Sequence, residues 1–194
     1  MKLTNILFVA LGLTLALNAC KSDADKNEAN SQSDSVKVNI NGVNSDSLLN
    51  EINAVEKKLF AEKKDKIEST IGLQAIKVYT DFINQFPEDK RVPEYLFKAG
   101  EISSALNLSD AAIGYFQNLY TKFPENEKAV FAMFIHAFIL ENQLMDLEKA
   151  KAKYQEVIDK FPGTQQATDA KASIEHLGKS PEDLIKEFEA KNKK

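Results

Sequence analysis

This sequence has one cysteine, Cys20, and two histidines, His136 and His176, while its hydroxyls and carboxylates form no recognisable cluster. A metal pair on a helix needs ligands three or four residues apart, as in His-Glu-x-x-His. No such pair occurs, and each histidine is alone in its segment. Glu175 and His176 are adjacent, so on a helix they point about 100° apart. A glycine-rich phosphate loop is also missing. The histidines therefore read as half-buried or surface side chains. No metal, no cofactor and no catalytic activity are expected. A single cysteine cannot form an internal disulfide, so its position decides its role.

That position is next to an export signal. Met1-Lys2 is a short positive start, and residues 6–17 form an apolar run interrupted by Gly12 and Thr14. A stable transmembrane helix needs about 20 apolar residues, so the run reads as a secretory signal. It ends in Leu17-Asn18-Ala19-Cys20. This resembles the lipobox of bacterial lipoproteins, with an aliphatic residue at −3, a small one at −1 and then cysteine. Asn18 at −2 is less typical. The resemblance implies cleavage after residue 19, lipidation of the Cys20 thiol and acylation of the new amine. The covalent lipid is then the only non-protein group expected, and acyl chains anchor by about 0.8 kcal/mol per buried CH₂.

Composition supports one domain behind that anchor. The 194 residues are 43% hydrophobic and carry a formal net charge of −4. Loss of Lys2 with residues 1–19 gives −4 − 1 = −5. No basic stripe with interleaved aromatics is present, which speaks against nucleic acid. From Lys21 to about Asp46 the composition is polar, without aromatics, and cannot offset ordering entropy. Val36, Val38 and Ile40 alternate with polar residues but have no partner strand. Residues 20–46 are therefore read as a disordered tether with a root-mean-square span of about 25–30 Å, and residues 47–194 as the folded domain.

The domain is helical by pattern and repeats. Phe-Pro occurs at 86–87, 123–124 and 161–162, spacings of 37 and 38 residues. Twelve residues before each proline stands Ala75, Ala112 or Ala150; eight before, Tyr79, Phe116 or Tyr154; five before, Phe82, Leu119 or Val157. These offsets lie on one helical stripe. Proline then stops the helix at Pro87, Pro124 and Pro162. Thirteen residues beyond the first two prolines come Gly100 and Ala137, small enough for a partner helix to approach closely.

This pattern resembles the tetratricopeptide repeat over about residues 48–178. The implied fold is all-α: an α-solenoid of about three helix pairs, at 48–66 with 71–86, 92–106 with 110–123, and 128–143 with 147–161. A helix at 165–177 follows. A last helix at about 182–191, started by Ser180-Pro181, should cap the open end of the stack. The first unit departs from the pattern, since Lys63 stands where Gly or Ala is expected. The third carries one extra loop residue near 141–146.

Phe60, Phe97 and Phe134 each precede that small position by three residues, and Phe131 and Phe138 extend the strip. The family resemblance places them on the concave face, as a groove for a peptide. The other reading has these rings packing between successive helices. A carboxylate-gripping clamp of this family carries Lys at that place, so Phe argues against a C-terminal carboxylate ligand.

Lipobox and repeats together look like periplasmic lipoproteins of the outer-membrane barrel-assembly machinery and Tol–Pal-associated envelope proteins. The resemblance implies a membrane-anchored, non-enzymatic adaptor for an envelope protein or peptide, at the outer membrane and on its periplasmic side. Asp23 and Asp25 weakly resemble a surface-export signal. A binder of a cell-wall or surface polymer and an accessory barrel-assembly subunit are the alternatives.

Overall fold

The computed structural model describes residues 45–61 and 67–192. The signal segment, Cys20, the alternating run at 36–40, the tether up to residue 44, and Lys63 lie outside the described residues. Eight helices and no strand occur among them: α1 (Ser45–Phe60), α2 (Ser69–Gln85), α3 (Val92–Ala105), α4 (Ser109–Lys122), α5 (Lys128–Asn142), α6 (Leu147–Lys160), α7 (Gln165–His176) and α8 (Pro181–Asn192). None of the described helices is long and apolar enough to cross a membrane. The chain is an α-solenoid in which each helix packs on the next from α1 to α7.

The Phe-Pro turns show how the sequence enforces the repeat. Phe86, Phe123 and Phe161 adopt nearly the same backbone, with φ between −130° and −128° and ψ between 53° and 59°. A following proline excludes the helical ψ, so each helix ends at this residue. Its N–H still donates the last helical bond, to Phe82, Leu119 or Val157 at 2.9–3.0 Å. The C=O of each phenylalanine then accepts from residue i+3, Asp89, Asn126 or Thr164. Those same three side chains start the next helix by accepting the N–H of Arg91, Lys128 and Ala167. Short polar side chains favour such local bonds at helix starts.

Burial follows the repeat. Ala75, Ala112 and Ala150, then Tyr79, Phe116 and Tyr154, then Phe82, Leu119 and Val157, are all buried. One buried cluster joins α1–α4 and reaches Ala132 and Ile139 of α5, a second joins α5–α7, and Ile113 and Tyr120 pack against both. Gly100 has a specific task. A Cβ there would stand 2.7–2.9 Å from the Phe116 ring, so only glycine lets that ring close against α3.

The turns inside the second and third units reverse through a left-handed residue, Asn107 at φ 58° and Met145 at φ 54°. Asparagine tolerates this region, whereas methionine pays a Cβ clash there. Met145 is 71% exposed, so its side chain returns little packing. Met145→Gly is expected to raise stability by about 0.5–1 kcal/mol; a lower urea midpoint would contradict this account. The extra residue of the third unit is visible here. Three residues, 106–108, join α3 to α4, whereas four, 143–146, follow the end of α5. Gln143, just beyond it, reaches back to Ser104 and Ser109 of the second unit at 2.7–3.2 Å.

Two expectations need correction. The first helix ends at Phe60, not at residue 66. The final helix forms, with Ser180 Oγ accepting the Asp183 N–H, but α8 does not pack as a layer across the open end. The helix α7 closes the stack by burying Ala167 and Ala170. It already covers the apolar face of α6 that a cap would need. Lys179–Glu187, at 2.7 Å, ties the α7–α8 connection to α8.

Candidate interaction surface

The helices α3, α5 and α7 touch one another in turn, while α2, α4 and α6 have no comparable contacts among themselves. The first set therefore lines the inner side of the bend and the second splays on the outer side. Splaying leaves two open clefts. One, of about 640 Å³, lies between α2 and α4 and is lined in part by Ile83, Pro87, Leu96 and Phe123. The other, of about 530 Å³, lies between α4 and α6 at the same four places one repeat on: Tyr120, Pro124, Met133 and Phe161. The sequence reading did not foresee these clefts, because they follow from helix divergence rather than from residue type.

Hydrogen bonds fix the register of the first unit. Tyr154 Oη donates to Glu141 at 2.8 Å, and Tyr79 Oη donates to Glu56 at 2.8 Å. Burial, reinforced by the carboxylate, pushes both phenols above their ordinary range. Glu56 is thus the counterpart of Glu141, and Ile52, not Lys63, is the counterpart of Ala137. In the second unit Phe116 has no hydroxyl and Ser104 stands at the carboxylate's place. The segment joining α1 to α2 is longer than the connections inside the later units, and counting back from Pro87 misplaces the first helix.

The five phenylalanines divide accordingly. Phe60 is the last residue of α1 and 77% exposed; it does not share the place of Phe97 and Phe134, which Leu49 occupies. Phe97 packs edge-on against Phe116, with centroids 5.7 Å apart, under the Lys128 ammonium at 5.0 Å. Phe134 packs against Tyr154 at 5.5 Å. Each ring therefore packs against the aromatic of its own unit's second helix, and Phe97 also meets Lys128 of the next unit. Phe131 and Phe138 are 47% and 48% exposed. They lie seven residues apart on α5, about 20° apart in azimuth, with Phe134 rotated some 60° from Phe131.

An ion ladder crosses the first helices of all three units. Glu56 on α1 meets Lys98 on α3 at 2.7 Å, Lys98 meets Glu94 at 3.7 Å, and Glu94 meets Lys128 on α5 at 3.2 Å. Only its terminal member is shared with the Tyr79 hydroxyl. Glu56→Ala strips a partner from a buried phenol and a half-buried ammonium together. A loss of about 1–3 kcal/mol is expected, read from urea midpoints; a change within error would show that neither group depends on Glu56.

The histidines occupy separate places. His136 is buried, and its Nδ1 lies 3.1 Å from Tyr120 Oη. His176 ends α7. Among the described residues no group of three His, Cys, Asp or Glu side chains could hold a metal ion.

With this geometry in view, residues 94–126 and 131–164 match the family model of the tetratricopeptide repeat. They coincide with the α3–α4 and α5–α6 pairs. The α1–α2 pair, with its shifted register, lies outside the match. No curated protein matches the chain. Tetratricopeptide repeats are interaction scaffolds, and that is the role they indicate here.

Proposed function

We propose that this protein is a non-enzymatic adaptor, tethered to the outer membrane through lipid on Cys20, whose repeat stack captures a segment of another envelope protein. The observation that carries the binding reading is the pair of exposed rings, Phe131 and Phe138, on the inner side of a tetratricopeptide stack. Large apolar side chains held in water on a rigid helix are the usual anchors of protein contacts. The tethering reading is supported by the Leu17-Asn18-Ala19-Cys20 sequence behind a short apolar run. The periplasmic face is favoured by the resemblance to repeat lipoproteins of barrel assembly.

Two measurements test it. Labelled palmitate should enter the full chain and fail to enter Cys20→Ser, which should also leave the membrane fraction. A photo-reactive residue at position 138 should crosslink to a protein, and one at Leu73, exposed on α2, should not. Retention of a cell-wall polymer with no crosslinked protein would overturn the adaptor reading.

A further inference from the structure

The exposed aromatic pair on α5 is bordered by carboxylates. The three inner-face places of α3 are Glu94, Phe97 and Glu101; those of α5 are Phe131, Phe134 and Phe138; those of α7 are Asp169, Ala172 and His176. Both neighbouring helices contact α5. Glu94 is engaged by Lys98 and Lys128. Among the described residues neither Glu101 nor Asp169, both exposed, sits in a close ion pair: Lys128 and Lys98 act on Glu101 only from a distance, and Asp169 accepts a bond from the Gln165 amide. A carboxylate outside any close ion pair thus stands on each side of the two rings.

This charge pattern selects the occupant. A second copy of the chain, itself net negative, would bring the same carboxylates to this face. An anionic lipid surface or acidic polymer would meet Glu101 and Asp169 with like charge, and like-charge contact disfavours association. Seven residues of helix separate the rings by about 10.5 Å along the axis. A helix laid along α5 presents two apolar side chains at that same spacing when they too are seven residues apart.

We infer that the inner face of the third unit takes a basic amphipathic helix. Apolar side chains seven residues apart seat on Phe131 and Phe138, and flanking lysines or arginines meet Glu101 and Asp169. The inference rests on the adaptor reading and specifies the chemistry of its partner.

The test uses the full chain and three synthetic 18-residue helical peptides, with binding followed by fluorescence anisotropy. The first has an apolar stripe flanked by Lys. The second has the same stripe flanked by Glu. The third keeps the Lys but carries Ser in the stripe. The first should bind, and more weakly as salt rises; the other two should bind at least about tenfold more weakly. Phe131→Ala with Phe138→Ala should weaken the first peptide by about tenfold or more. Glu101→Lys, at an exposed site that leaves the fold intact, should weaken it by about threefold to tenfold. Circular dichroism checks that each variant remains helical.

Equal or tighter binding of the Glu-flanked peptide overturns the inference. So does failure of the Lys-flanked peptide to bind, or binding indifferent to all these substitutions. If the Glu-flanked peptide binds through Phe131 and Phe138, the adaptor reading survives without the basic partner. If no peptide binds and a neutral polysaccharide does, both fall.

Discussion

Phe116→Ala is expected to lower the unfolding free energy by about 3–5 kcal/mol and the Tm by roughly 10 °C or more. The ring is fully buried between α3 and α4, with Phe97 edge-on against it. Alanine would remove its dispersion contacts and leave a cavity that two helices cannot collapse into. The mechanism makes a sharper expectation for Gly100, whose Cβ position is occupied by the ring at 2.7–2.9 Å. Gly100→Ala alone gains helix propensity of about 1 kcal/mol, yet overpacking costs about 1–3 kcal/mol, so the net effect is destabilising. In the Phe116→Ala background the clash is gone, and the same substitution should become stabilising. A double-mutant cycle from urea unfolding reads this reversal of sign. Additive effects would mean that Gly100 and Phe116 do not oppose each other, and the packing account would fail.

The same pair shows why some of the molecule was legible and some was not. Second helices could be placed from sequence to within a residue or two, because Ala112, Phe116, Leu119 and Pro124 each meet a separate steric demand and the four demands recur in register. First helices carry weaker constraints. Gly100 and Ala137 mark their register only where connections to the preceding proline are of equal length. In the first unit the marker is chemical: Glu56 is fixed by the Tyr79 hydroxyl, a contact between residues 23 apart that no periodicity reveals. The phenylalanine strip was ambiguous for a geometric reason. Phe131, Phe134 and Phe138 fall within one stripe of a helix, and a rotation of about 40–60° separates a ring packed on Tyr154 from two that face water. The helix α5 is apolar almost all round, so its pattern gave no polar face to orient it. The last helix misled differently. Its start signal was sufficient to form α8, but helix formation says nothing about docking, and α7 had already taken the cap's place.

Acidification from pH 6.5 toward pH 4 should destabilise the third unit through His136. Burial depresses the imidazole to about 4, with Lys153 adding to the effect and Glu156 opposing it. The buried ring faces Tyr120 on α4, whose phenol is itself raised to about 12 by burial and the Glu156 charge. From α6 come Lys153, paired with Glu156 at 2.8 Å and lying over the Tyr120 ring, and Glu156, also bonded to Lys160. No carboxylate bonds directly to the imidazole, so a proton there would be buried without a direct counter-charge. The sign follows from proton counting. Between pH 6.5 and 4 the unfolded chain holds a proton on His136 that the folded chain does not, so stability rises with pH across that window and is flat above it. A shift of this size corresponds to roughly 3 kcal/mol over the whole window. His136→Gln keeps a polar partner for Tyr120 and removes the titration. The difference in unfolding free energy between wild type and His136→Gln should therefore narrow as pH falls from 7 to 5, before most carboxylates protonate. Parallel stability curves for the two proteins would show that His136 takes up its proton equally in both states. Its burial between the second and third repeats would then carry no pH dependence.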